Sequence, residues 1–153
     1  MLIVFDLDFT LWDAGGTFCD GTVPPYSRKN GYITDAEDRI IYLYPDVKEI
    51  LSHLEKQEIA MGVASRTHSP DKARTLMEMF GIRDYFSYEE IYPGSKVQHF
   101  EMLQWRSKLP FEAMFFFDDE QRNVREVGEL GVLTHHVPEG LSWHLLNEVD
   151  RFR

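Results

Sequence analysis

Residues 2–10 read Leu2-Ile3-Val4-Phe5-Asp6-Leu7-Asp8-Phe9-Thr10, and the reading of this stretch decides the fold. Four consecutive apolar residues, β-branched and aromatic among them, describe a strand buried on both faces. That strand ends in two carboxylates two residues apart. Side chains at i and i+2 of an extended chain share a side. Asp6 and Asp8 would therefore repel each other unless a cation or a proton intervened. The pattern asks for a hard divalent cation, and for chemistry that uses two acids differently.

Bulk properties narrow the field. A chain of 153 residues is long enough for one domain (1–153) with a substantial core, without disulfides or structural zinc. The net charge of −10 argues against nucleic acid and against an anionic membrane, since both need a basic face. A phosphorylated ligand stays compatible, because a local cluster of cations can outweigh the global sign. The single cysteine, Cys19, excludes an internal disulfide and a thiolate-rich metal site. Asp6 and Asp8 interrupt the first apolar run too early for a secretory signal. No stretch approaches the roughly 18 apolar residues of a membrane span. A monomeric cytoplasmic protein is the expectation.

From Asp13 to Tyr44 the chain is polar and turn-rich, with Gly15-Gly16, Asp20-Gly21, Pro24-Pro25 and Asn30-Gly31 as turn signals. Short β-prone pieces at Thr17–Cys19, Tyr32–Thr34 and Ile40–Tyr44 predict one or two hairpins forming a flap over 13–44. From Pro45 onward helices and strands alternate. Helices are predicted over 45–57, from Ser69-Pro70 to Gly81, and over 95–108, 123–130 and 141–152. Strands are predicted over 59–64, 85–88, 113–117 and 132–136. Ser69 is read as a capping hydroxyl before a proline at the first helical position. This alternation means an α/β fold with a parallel sheet covered by helices on both faces, a Rossmann-like three-layer sandwich. In such sheets ligand sites gather beyond the C-terminal ends of the strands.

Chemically suggestive residues fall where that rule puts them. Asp6-x-Asp8-x-Thr10 follows the first strand, and Ser65-Arg66-Thr67 follows the strand at 59–64. Lys96 opens a helix within Pro93-Gly94-Ser95-Lys96. Asp118-Asp119 ends Phe115-Phe116-Phe117, with Asn123 four residues beyond the second acid.

These four clusters, in this order, resemble the four motifs of the haloacid dehalogenase (HAD) superfamily. The strings FDLDFTLW, ASRT, EIYPGSKVQHFE, FFFDDEQRN and VGELGV are similar to the magnesium-dependent phosphatase-1 family across nearly the whole chain. The resemblance implies a HAD core with a small β-hairpin flap in place of a full cap domain. It implies a phosphoric monoester hydrolase that uses Mg2+ and an aspartyl-phosphate intermediate. The substrate would be a phosphorylated sugar or other small metabolite, or protein phosphotyrosine.

On that resemblance each residue receives a role. Asp6 would be the nucleophile and Asp8 the general acid and then base. Metal ligands would be Asp6, Asp8 through its backbone carbonyl, and Asp119, because a phosphate ester's charge must be offset before a carboxylate attacks and Mg2+ prefers hard oxygen ligands. Leu7, Ser65, Arg66 and Lys96 are assigned to the phosphate, Arg66 as a second anion contact because a guanidinium can bind phosphate bidentately. Thr10, Asp118 and Asn123 support the site, Thr10 by bonding backbone near its loop. Counting along the fourth motif favours Asp119 over Asp118 as the direct ligand, and the choice stays open. An amide at Asn123, where the superfamily often has an acid, would orient a metal-bound water.

Other residues have plainer readings. Trp12 packs at the base of the flap or lines the substrate entrance. His68, His99, His135 and His136 are read as ordinary core or surface histidines, lacking a third ligand of suitable spacing. Cys19 lacks the glycine-rich, arginine-ended loop that a thiol nucleophile needs. A signalling receiver domain shares the fold class, but it places its phosphorylated aspartate after a middle strand and its lysine last, whereas here Ser65 holds that position and acids follow Lys96. A phosphotransferase or phosphomutase on the same scaffold would want a larger cap to exclude water.

Overall fold

The computed structural model describes residues 1–149. In chain order the elements are β1 (Leu2–Phe5), β2 (Trp12–Asp13), β3 (Ser27–Lys29), β4 (Tyr32–Thr34), β5 (Ile40–Leu43), α1 (Val47–Lys56) and β6 (Ala60–Ser65). Then come α2 (Pro70–Met79), β7 (Tyr88–Ile91), α3 (Lys96–Ser107), β8 (Met114–Asp118), α4 (Gln121–Gly128), β9 (Leu133–His136) and α5 (Trp143–Asn147).

Five strands form one sheet in the order β7-β6-β1-β8-β9, every neighbouring pair parallel. β1 lies at the centre, with Ile3 opposite Met61 on one side and Phe115 on the other. Alternation along the strands divides the core into two layers. Ile3, Phe5, Met61, Val63, Phe115 and Phe117 face one way and pack with α1, α2 and α5; Leu2, Val4, Ala64, Met114 and Phe116 face the other and pack with α3 and α4. Every side chain of β1 is fully buried, each contributing about 1.5–3 kcal/mol of hydrophobic stabilisation. The α/β sandwich expected from the sequence is present.

Local chemistry explains most element ends. Pro70 opens α2, where its missing N–H costs nothing. The Ser95 hydroxyl caps α3 by accepting from the Val97 amide at 3.1 Å, and Lys108 ends that helix in the left-handed conformation at φ 61°. Asn30 and Gly31, at φ 47° and 87°, make the tight turn between β3 and β4.

The segment over 13–44 builds a second, antiparallel sheet in the order β2-β5-β4-β3. Asp35 organises its far end. Its carboxylate accepts from the amides of Val23, Glu37 and Arg39 and pairs with the Arg39 guanidinium. Lys72 of α2 reaches across to the carbonyls of Asp20 and Thr22 at 3.0 and 2.6 Å, pinning this segment to the main body.

Several expectations need correcting. Thr17–Cys19 is no strand: a 3-10 turn over Cys19–Gly21 takes its place, and the Cys19 amide turns inward to Asp8 at 2.9 Å. β3 has no apolar alternation to reveal it, being wholly exposed, and exists because the Asn30-Gly31 turn lays it beside β4. β7 begins three residues later than expected, after a 3-10 turn over Arg83–Tyr85, and α4 begins at Gln121, before Asn123. The Ser69 hydroxyl makes no cap bond to α2; the Thr67 hydroxyl accepts from the Ser69 amide instead. The helix expected over 141–152 is shorter: α5, capped by Ser142, runs from Trp143 to Asn147 with Glu148 as its C-cap, and the expected residues 150–152 lie outside the described residues. Among the described residues no helix is long and apolar enough to cross a membrane.

Candidate active site

The strand order reverses direction between β1 and β8, since the connection from β1 leads toward β6 and that from β8 toward β9. A crevice opens at such a point, beyond the C-terminal strand ends. The Asp6 amide donates to the Phe117 carbonyl at 3.0 Å, extending the pairing of the two strands by one residue. Strand alternation then fixes where the acids point. Asp6 continues the face of Leu2 and Val4, and Asp118 that of Met114 and Phe116, both toward α3. Lys96, the first residue of α3, meets them there.

Lys96 is buried, and its ammonium donates to three oxygens: Asp6 Oδ1 at 2.8 Å, Asp118 Oδ2 at 3.0 Å and the Ala64 carbonyl at 2.6 Å. An ammonium has three protons, so its donor capacity is fully used. Burial works against its charge, but Asp6 and Asp118 outweigh burial and hold its pKa above that of an ordinary lysine. The Thr10 hydroxyl donates to Asp6 Oδ2 at 3.2 Å. It addresses the carboxylate, not the neighbouring backbone as expected.

Beyond Asp6 the chain turns instead of staying extended. The Leu7 carbonyl accepts from the amides of Thr10 and Leu11, and Phe9 is left-handed at φ 62°. Leu7 buries its side chain in the core. Asp8 takes a different setting from Asp6. Its Oδ1 accepts from the Trp12 indole at 2.8 Å and from the Cys19 amide at 2.9 Å. Burial, with the charge of Asp6 adding to it, outweighs those bonds and raises its pKa to about 7.

The carboxylates that do crowd together are Asp6, Asp118 and Asp119, with one oxygen of each within 4.8 Å of the others. Asp8 lines the same cavity as Asp6 and feels its charge, but the three acids that could share one ion are Asp6, Asp118 and Asp119. The two acids of the fourth motif are also distinguished. Asp118 is committed to protein partners: the Glu120 amide at 2.8 Å, Lys96, and the Asn123 amide nitrogen at 3.1 Å. Asp119 faces Asp6. Burial, a hydrogen bond to Asp6 and the charges of Asp6 and Asp118 push its pKa up to about 9. Three crowded acids, one of which keeps a proton unless a cation arrives, are a donor set suited to a hard divalent metal.

A cavity of about 200 Å³ stands over this floor, lined by Asp6, Asp8, Ser65, Arg66, Lys96, Asp119 and Asn123. Thr10 and Asp118 lie behind it. Arg66 donates to Asn123 Oδ1 at 3.3 Å, joining the second and fourth motifs. Phe18 and Asp20 from the 13–44 segment, with His68 and Arg122, form the mouth. Sequence reasoning missed Phe18 and Arg122, which carry no motif. It also left open the part of Trp12, whose spacing of four from Asp8 was the available signal. Trp12 is buried against Phe80, with ring centroids 6.0 Å apart.

Residues 1–152 match the Acid Phosphatase family model. The chain belongs to this family. Family membership makes it a phosphatase of the HAD superfamily. It is 41% identical over 149 residues to human Magnesium-dependent phosphatase 1, covering 96% of this chain and 83% of the relative. A HAD-like hydrolase superfamily protein of Schizosaccharomyces pombe is 35% identical over 140 residues, with 85% and 81% covered. Among solved structures, a haloacid dehalogenase-like hydrolase from Streptococcus pneumoniae superposes with a TM-score of 0.68 at 15% identity, covering 95% of this chain and 89% of that one. The N-terminal part of BF1531 from Bacteroides fragilis, a phosphatase domain complexed with Mg, gives 0.65 at 20% identity, covering 90% of this chain and 36% of that one. At these identities the structural likenesses speak for the fold.

Proposed function

We propose that this phosphatase uses magnesium and hydrolyses phosphomonoesters through an aspartyl phosphate formed on Asp6. One observation carries the reading: at the cavity floor Asp6 is held by Lys96 and Thr10 beside two more acids, while Asp8 lines the same cavity with its pKa raised to about 7. A carboxyl whose pKa lies near neutrality can both give and take a proton, as an acid–base group requires. The likeness to human Magnesium-dependent phosphatase 1 supports the cofactor and the reaction class.

In this mechanism the Ser65 hydroxyl donates to a phosphoryl oxygen while Lys96, its protons committed to Asp6, Asp118 and the Ala64 carbonyl, attracts the group by charge, with the Leu7 backbone N–H and Arg66 as further anion contacts. An Asp6 oxygen attacks phosphorus, and the departing alkoxide takes the proton of Asp8. Asp8, now ionised, removes a proton from water as that water attacks phosphorus, which releases inorganic phosphate and restores Asp6. Asp6, Asp119 and the Asp8 backbone carbonyl would hold magnesium, which supplies positive charge against the phosphoryl oxygens. Asp118, committed to Lys96, Asn123 and the Glu120 amide, acts one step back from the metal, and Asn123 steadies it.

The substrate is a phosphorylated sugar or similar small metabolite, or a phosphotyrosyl side chain, and the 13–44 flap of a single 1–153 domain bounds the space for its leaving group. A panel of phosphorylated metabolites and a phosphotyrosyl peptide, compared by kcat/KM with magnesium present, tests the reading. Turnover of at least one class, lost in Asp6→Asn, is expected. No turnover of any phosphomonoester sinks it.

A further inference from the structure

His99 is fully buried one turn into α3, three residues beyond Lys96. Positions i and i+3 share a helix face, so both side chains reach the same strand end. Lys96 donates to the Ala64 carbonyl at 2.6 Å, and His99 Nε2 lies 3.0 Å from the next carbonyl, that of Ser65. The same nitrogen lies 2.9 Å from the Tyr92 carbonyl, and Nδ1 lies 2.7 Å from the Ser95 carbonyl. A neutral imidazole has a single N–H; carried on Nε2, it is shared between the Ser65 and Tyr92 carbonyls, 3.0 and 2.9 Å away.

Those two carbonyls belong to the strand end that presents Ser65 and to the loop that leads into Lys96. The ring itself is immobilised from behind. It stacks on Tyr92 with centroids 4.4 Å apart and planes 10° apart. The Tyr92 hydroxyl donates to Glu90 at 2.8 Å, and Glu90 pairs with Arg106 further along the same helix at 2.8 Å. A core histidine that merely filled space would not gather the backbone of the two loops that meet at one phosphoryl site.

We propose that His99 is a positioning residue for the phosphoryl pocket, holding the ends of β6 and β7 in register so that Ser65 and Lys96 address the same phosphoryl group. This rests on the phosphatase reading above and adds to it the element that aligns its anion-binding half. Small misplacements of such groups cost up to about 100-fold in rate.

The test compares His99→Phe, which keeps a ring to stack on Tyr92 but removes both ring nitrogens, with His99→Gln, which restores one N–H. Affinity for inorganic phosphate with magnesium is measured by calorimetry, alongside kcat and KM for a phosphomonoester and the melting temperature. His99→Phe is expected to weaken phosphate binding and raise KM by about 10-fold, and to lower kcat/KM by about 10- to 100-fold. His99→Gln should recover most of both. A His99→Phe variant that melts earlier but binds phosphate and turns over normally below its transition overturns the proposal, as does a Gln variant no better than Phe. An active wild type with an unaffected His99→Phe sinks this inference alone, whereas an inactive wild type sinks the phosphatase reading. If His99→Phe does not fold, nuclear magnetic resonance of the wild type decides. A His99 ring N–H protected from exchange, and more so once phosphate and magnesium are added, supports the proposal; exchange at the solvent rate overturns it.

Discussion

The Trp12 indole N–H donates to Asp8 Oδ1 at 2.8 Å, tying the first residue of β2 to the turn that follows β1. With the Cys19 amide on the same oxygen, the bond fixes one side of the carboxyl and leaves Oδ2 for the reaction. Trp12→Phe keeps a ring against Phe80 and removes the donor. The expected result is a fall of about 10-fold in kcat with KM little changed, a fraction of the ~10²–10⁴ that a positioned acid–base group supplies. Steady-state kinetics check this, and an unchanged kcat would separate Trp12 from the chemistry.

Asp6→Asn should lower kcat by at least about 10³-fold, since the attacking oxygen is replaced by an amide. Acid-quenched wild-type enzyme should yield a phosphorylated peptide containing residue 6 by mass spectrometry, and the variant should not. Appreciable turnover by Asp6→Asn would remove the covalent step.

Lys96 pairs with two buried carboxyl groups, those of Asp6 and Asp118. Lys96→Met leaves them facing each other without a cation and should destabilise the fold by about 3–5 kcal/mol, the cost of breaking a buried pair from one side. Adding Asp118→Asn removes one of the stranded charges and should recover part of that loss. Urea unfolding of the single and double variants measures both effects.

Chelation should silence the enzyme and added magnesium should restore it. Asp119→Ala should weaken magnesium binding at least about 10-fold, read by calorimetry in the absence of substrate. Asp118→Asn should leave magnesium affinity within a few-fold while lowering stability, because Asp118 is committed to Lys96, Asn123 and the Glu120 amide. The reverse pattern would exchange the roles of the two acids.

Asp35 gives the flap a pH dependence. Burial disfavours its charge, but the amides of Val23, Arg39 and Glu37 and the Arg39 guanidinium outweigh burial and hold its carboxyl below the usual aspartate range. A carboxyl with a depressed folded pKa stabilises fully above its unfolded value of about 4, and that contribution is lost as pH falls through the lower folded value. The melting temperature should therefore drop as pH is lowered from about 5 to about 2, and Asp35→Asn should flatten that part of the curve. An equal slope in the variant would move the effect to other acids.

Much of the fold was legible because its signals are local. The apolar run at 2–5, the helical spacing of Val47, Ile50, Leu51 and Leu54, and the Pro70 start all act within one element. β3 was illegible because it has no buried face of its own. The turn at Leu7 escaped notice because period-two reasoning holds only while the chain stays extended. Trp12 was left between packing and lining the entrance, and His99 was read as an ordinary core or surface histidine, since what a buried ring nitrogen touches depends on the folded surroundings.

The linear sequence by itself determined the parallel α/β sandwich and the four clusters at its strand ends, because hydrophobic periodicity and strand alternation need no partner to be read. Tertiary structure alone decided how the acids divide. Asp6, Asp118 and Asp119 meet because β1 and β8 are neighbours in the sheet, 112 residues apart by number, while Asp8 is turned toward Trp12 and Cys19. Charge repulsion, burial and hydrogen bonding act through space, and those contacts give the two carboxyls of Asp6-Leu7-Asp8 different partners.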